Sequence, residues 1–129
     1  MLFSYQANVN ECCVKLFVGN EATLNFYLTN FTDLASLVAA IRKIPYVGGN
    51  TNTTGGVRLM RQQIFKRANG DRQDVRNVAI LITDGIPTRE VDELPPEVQR
   101  NKALGVHFVA VGVTDKVSEC DTNFSSPNR

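Results

Sequence analysis

The sequence predicts an α/β domain whose sheet is mostly parallel, with an antiparallel hairpin at one edge. Three observations carry this. Strand-like and helix-like stretches alternate along 129 residues, a length that fits one domain. The run Val78-Ala79-Ile80-Leu81-Ile82-Thr83 lacks polar alternation, as expected of a strand buried on both faces. Ala22 to Leu28 does alternate, with Ala22, Leu24, Phe26 and Leu28 on one face and Thr23, Asn25 and Tyr27 on the other, the pattern of a half-exposed edge strand.

Taken in order, Cys13-Val14-Lys15-Leu16-Phe17-Val18 reads as a strand, and Gly19-Asn20-Glu21 turns it into the alternating strand. Thr32 is the expected N-cap of a first helix, and Asp33 places negative charge at its positive end. Leu34, Leu37, Val38, Ile41 and Ile44 repeat at helical spacing until Pro45 stops the helix. Gly48 to Gly56 is a loop rich in glycine and hydroxyls. A second helix follows, with Val57, Met60 and Ile64 inward and Arg58, Arg61 and Arg67 outward. After the buried strand, Pro95-Pro96 precedes a short helix through Leu104, with Gly105 as its C-cap. Val106 to Val113 is a further apolar strand, and the chain is polar from Ser118 onward.

Composition removes several function classes. Fourteen Lys and Arg balance thirteen Asp and Glu, so there is no concentrated basic face for nucleic acid or an anionic membrane. No apolar run spans a bilayer. The opening Met1-Leu2-Phe3-Ser4-Tyr5-Gln6 lacks the basic region, apolar core and cleavage site of a secretion signal. Gly48 to Gly56 lacks the Lys-Ser or Lys-Thr ending of a phosphate loop, and GxGxxG is absent. Arg58, Arg61, Lys66, Arg67, Arg72 and Arg76 are interrupted by Asp71 and Asp74 and read as a solvated face. His107 stands alone in an apolar strand and reads as a packed or edge-facing residue. The three cysteines, Cys12, Cys13 and Cys120, leave two states open: one bridge from Cys120 to either neighbour, or three free thiols.

In an open α/β sheet, ligands gather outside the carboxyl ends of the strands. Asp84 directly follows the buried strand, and the Thr51 loop joins two helices on that same edge. Hydroxyl and carboxylate oxygens are hard ligands, suited to Mg²⁺, Mn²⁺ or Ca²⁺. Gly48-Gly49-Asn50-Thr51-Asn52-Thr53 and Ile80-Leu81-Ile82-Thr83-Asp84-Gly85, in that order and with Thr51 and Asp84 33 residues apart, resemble two of the three parts of a metal-ion-dependent adhesion site. That site belongs to the von Willebrand factor type A family of integrins, matrilins, collagens and related matrix proteins. The resemblance runs from about Val14 to Val117 and is nearest in character to the matrix-type members.

The resemblance implies a Rossmann-like three-layer α/β/α fold. It also implies a protein-binding adhesion module, not an enzyme, at an extracellular or cell-surface location, with collagen or another matrix protein as ligand. Thr51 would lend a hydroxyl oxygen to the metal, Asp84 would bind it directly or through water, and an acidic residue of the partner would complete the shell. One departure stands out: the family's first strand ends in Asp-x-Ser-x-Ser, and this sequence contains no such motif. Residues 1–12 therefore read as a non-family leader, 13–118 as a partial domain truncated at its start and at its end, and 119–129 as a frayed tail. The site would be incomplete and would hold a cation weakly, and the sheet would lack its central strand. Buried backbone groups left unpaired by such a gap cost about 1–3 kcal/mol each, against a usual stability of about 5–15 kcal/mol. An intracellular scaffold in a metal- or ATP-dependent assembly, and a nucleotide-binding enzyme, are the rival classes.

Overall fold

The computed structural model describes residues 20–27, 29–45, 49–83 and 86–113, and the backbone of residues 2–6 and 12–18. Five strands, β1 (Leu2–Gln6), β2 (Cys12–Val18), β3 (Ala22–Leu24), β4 (Asn77–Thr83) and β5 (His107–Gly112), form one sheet in the order β3-β2-β1-β4-β5. Among the described residues, three α-helices accompany it: α1 (Leu34–Arg42), α2 (Thr53–Leu59) and α3 (Leu94–Ala103). The α/β class and the β2–β3 edge hairpin are as the sequence predicts, although β3 ends at Leu24 and residues 25–27 lie outside the strand.

The expected central gap is filled. Leu2–Gln6 lies between β2 and β4 and pairs with both, Leu2 opposite Leu16 on one side and Leu81 on the other. It runs antiparallel to each neighbour, with a register shift between Ser4 and Tyr5 against β2. The direction follows from chain length. A parallel crossover needs a dozen or more residues, and only residues 7–11 separate β1 from β2. The leader can enter the sheet solely as a reversed strand, and doing so satisfies backbone groups that a gap would orphan. The strands β2, β4 and β5 still share one direction. With β1 reversed between them, β4–β5 is the one pair that bonds in parallel among the described strands.

The core lies where α2 and α3 cover β4 and β5. Val57 and Met60 are fully buried, and Ile64, Phe108, Ala79, Leu81, Leu94, Val98 and Val106 complete the cluster. Burying each large side chain contributes on the order of 1.5–3 kcal/mol. Met60–Ile64 continues α2 as a π-helical turn that keeps both end residues inward. The opposite face of the two strands is more open than the sequence suggests. Val78, Ile80 and Ile82 are half-buried, and Val109 and Val111 are exposed, because α2 and α3 cover only the face of Ala79, Leu81 and Phe108.

Helix boundaries differ from expectation for local reasons. Asp33, not Thr32, caps α1, its Oδ1 accepting from the Ser36 N–H at 2.8 Å. Leu37 is buried in this helix, whereas Leu34, its first residue, is 73% exposed. The helix α2 begins inside the predicted loop, because Asn52 Oδ1 caps it by accepting from the Gly55 N–H at 2.7 Å. Gly55 tolerates this approach only without a side chain, since a Cβ there would lie 2.9 Å from Asn52 Oδ1. Pro95 and Pro96 sit within the first turn of α3, where N–H groups have no helical partner to lose. Gly105 follows that helix with φ +82°, as its predicted capping role requires.

Candidate functional site

The strands β2, β4 and β5 all end on one rim, and three loops meet there. The Thr83 carbonyl, at the tip of β4, accepts from the Val113 N–H at 2.9 Å, tying the β4 and β5 ends together. Thr51 is held to the segment that follows β4. Its N–H donates to Thr88 Oγ1 at 2.9 Å, and its carbonyl accepts from the N–H groups of Thr88 at 2.9 Å and Arg89 at 3.3 Å. Asn20, from the β2–β3 turn, joins from the other side. Its Oδ1 accepts from the Asn50 N–H at 3.2 Å and its carbonyl from Arg89 at 3.4 Å.

Both backbone groups of Thr51 are thus committed, while its hydroxyl makes no hydrogen bond among the described residues. Asp84, the other predicted ligand, lies outside the described residues. Thr51 is placed against Thr88, five residues beyond the last residue of β4.

A second layer, invisible in the sequence reading, stands behind Thr51. Glu90 reaches back onto the start of α2. Its Oε1 accepts from Asn52 Nδ2 at 3.2 Å, its Oε2 pairs with Arg58 at 2.8 Å, and its carbonyl accepts from Thr54 Oγ1 at 2.8 Å. Hydrogen bonds from Arg58 and then Asn52 hold the Glu90 carboxyl below its ordinary range. Glu97, on α3, is fully buried. Its Oε1 accepts from Arg61 at 2.7 Å and its Oε2 from Arg100 at 3.0 Å, with Arg58 3.9 Å away. Burial pushes the Glu97 carboxyl up, but the bonds and charges of Arg61 and Arg100 outweigh it and leave it below 4.5.

Arg58 and Arg61 accordingly are not part of a solvated basic face. They are half-buried counter-ions, although Lys66, Arg67 and Arg76 are exposed as expected. The available signal was the spacing of Arg58 and Arg61 on one helix against Glu97 and Arg100 on the next, both pairs three apart. His107 is exposed at the start of the edge strand β5. The Asn52 side chain is engaged by Gly55 and Glu90, so it is a poor glycan acceptor in spite of its Asn-Thr-Thr triplet.

Among the described residues, the donor set near Thr51 is short for a resident cation. Glu90 is the one carboxylate described as bonded into this loop pair, and its oxygens are taken by Asn52 and Arg58. Among the described residues no three His, Cys, Asp or Glu side chains cluster as a metal would need. No described helix is long and apolar enough to cross a membrane.

An α/β sheet with a hydroxyl-bearing loop seated at its carboxyl rim defines a class of domain that docks ligands on that edge. Residues 14–127 match the von Willebrand factor type A domain, and the chain belongs to that family. Similar proteins include the collagen alpha-1(XII) chain of Notophthalmus viridescens, 35% identical over 80% of this chain and 11% of its own length. Vitrin of Mus musculus is 32% identical over 72% and 14%, and cochlin of Bos taurus 31% over 84% and 22%. The chain therefore spans about a tenth to a fifth of these relatives. Among solved structures, proximal thread matrix protein 1 from the mussel byssus has the same fold. Its TM-score is 0.77 at 24% identity, covering 86% of this chain and 28% of that one. A further structure of that protein is described with a zinc-occupied MIDAS motif.

Proposed function

We propose that this domain is a protein-docking module of an extracellular matrix or cell-surface protein, and that it binds its ligand through the rim carrying Thr51 and Asp84. The observation that carries the reading is the seam between Thr51 and Thr88–Arg89, which seats the Thr51 loop beside the segment following β4. The kinship with collagen XII, vitrin and cochlin supports a matrix setting, with collagen or another matrix protein as ligand and binding in place of catalysis. The zinc-occupied motif of the mussel protein supports a divalent cation as the bridging element in the intact family site. Mg²⁺, Mn²⁺ or Ca²⁺ would there accept the Thr51 hydroxyl and the Asp84 carboxylate and polarise an acidic group of the partner.

Thr51 and Asp84 are two of the ligands such a cation needs, and on this reading the chain holds it weakly. Titration with Mg²⁺ or Mn²⁺ is expected to give a Kd no tighter than about 1 mM. Paramagnetic broadening by Mn²⁺ is expected to be centred on Thr51 and Asp84. Broadening centred elsewhere, such as on Asp71 and Asp74, would remove the rim from consideration. Binding of the chain to immobilised collagen or another matrix protein, and its loss in Thr51→Ala, tests the docking role directly.

A further inference from the structure

Glu90 is the one non-glycine residue with positive φ among those described, at +49°. A left-handed conformation is disfavoured for a residue with a Cβ, and it persists only where the surroundings over-determine it. Here they do. Three contacts radiate from this residue to positions 32 to 38 residues earlier in the chain, namely Arg58, Thr54 and Asn52. Its main-chain carbonyl and both carboxylate oxygens are in use, although the residue is exposed. An exposed glutamate whose only task was solubility would occupy an ordinary backbone conformation and leave its oxygens to water.

The contacts share one target. Asn52 caps α2 and directly follows Thr51; Thr54 lies in the first turn; Arg58 lies a turn further on. On the other side, Glu90 directly follows Thr88 and Arg89, the two residues bonded to the Thr51 backbone. We infer that Glu90 is a positioning residue of the rim, a staple that turns the segment after β4 back onto the start of α2 and thereby sets where the Thr51 hydroxyl stands. The inference rests on the reading of Thr51 as part of the docking rim. The staple is itself anchored, because Arg58 lies between Glu90 and the buried Glu97, which fixes Arg61 and Arg100 in turn.

Two variants of the full chain separate positioning from general support. Glu90→Gly relieves the left-handed backbone while deleting the carboxylate, and Glu90→Gln keeps an oxygen for Asn52 but drops the charge that Arg58 meets. Amide hydrogen exchange read by NMR is the measurement. In Glu90→Gly the Thr88 and Arg89 amides are expected to exchange about tenfold faster or more. The Leu81 and Phe108 amides and the thermal midpoint should stay close to those of the parent. Glu90→Gln should recover part of the lost protection. Unchanged exchange at Thr88 and Arg89 in Glu90→Gly overturns the inference, and so does a uniform rise that includes Leu81 and Phe108. Mn²⁺ broadening at Thr51 is read on the same samples. Its absence from the parent chain counts against the docking rim, while the exchange pattern still decides the role of Glu90.

Discussion

Glu97 gathers Arg58, Arg61 and Arg100 around one carboxylate, and it does so with no exposed surface of its own. A buried carboxylate is tolerable only because Arg61 and Arg100 bond both oxygens; deleting it leaves those arginines facing a cavity. Glu97→Ala is expected to cost about 2–4 kcal/mol in urea unfolding, the arginines' partial access to water keeping it at the lower end for a broken buried pair. Arg100→Ala, removing a partner whose side chain is 56% exposed, is expected to cost less than about 1 kcal/mol. The pH dependence has a definite sign. The folded-state carboxyl titrates below its ordinary 4.5, so its contribution is present above that value and is lost as pH falls through the lower folded one. Stability measured from pH 7 to pH 3 should decline below about 4.5, and Glu97→Gln should flatten that decline; an unaltered decline would assign acid sensitivity to other groups. Apart from the matched spacing of Arg58 and Arg61 against Glu97 and Arg100, nothing in the sequence signals the burial of Glu97, because helical periodicity marks apolar faces. It carries no sign for a glutamate turned inward towards arginines 36 and 39 residues away.

At the level of elements, α2 shows how a cap can override composition. Two glycines in its first turns argue against a helix, and the run Gly48 to Gly56 reads as a loop for that reason. Asn52 reverses the outcome by satisfying the Gly55 N–H, and Gly55 is what admits the Asn52 side chain so closely. Gly55→Ala sets two effects against each other. Helix propensity favours Ala by about 1 kcal/mol, whereas a Cβ placed 2.9 Å from Asn52 Oδ1 displaces the cap, worth about 0.5–2 kcal/mol, and adds strain. Net destabilisation of about 1 kcal/mol is expected in a denaturant titration; a more stable variant would show the cap to be dispensable. The inward positions Val57, Met60 and Ile64 were legible from spacing alone, since a π-helical turn over Met60–Ile64 preserved their common face. The Thr51 position was legible from its motif, but the residues that hold it, Thr88, Arg89 and Glu90, come from a stretch with no periodicity to read.

For the whole molecule, the decisive element is the one that sequence reasoning left outside the sheet. Residue patterning located β2 through β5 and separated the edge hairpin from the apolar strands, and family resemblance supplied the fold and the place of a central strand. Neither could assign residues 1–12, because they match no family motif and because strand direction depends on connection length. With Leu2–Gln6 bonded on both sides, the sheet is continuous from β3 to β5. A single cooperative unfolding transition is therefore expected, with far-ultraviolet circular dichroism and tyrosine fluorescence giving coincident curves in urea. Separate midpoints would mean that the β3–β2 and β4–β5 halves unfold independently. Ser4→Pro, which removes an N–H donor from the middle of the central strand, should lower that midpoint sharply.

The reversed course of β1 also decides which way its ends face. Gln6 stands opposite Asn77, at the foot of β4, and Leu2 stands opposite Leu81, two residues short of the β4 tip. Anything joined ahead of Leu2 thus leaves the sheet next to Thr83, on the side where the Thr51 loop is seated. An affinity handle fused at the amino end would crowd that edge and mask ligand capture. Adhesion assays should carry the handle at the other terminus, and a spectroscopic label placed ahead of Leu2 would report on whatever approaches Thr51.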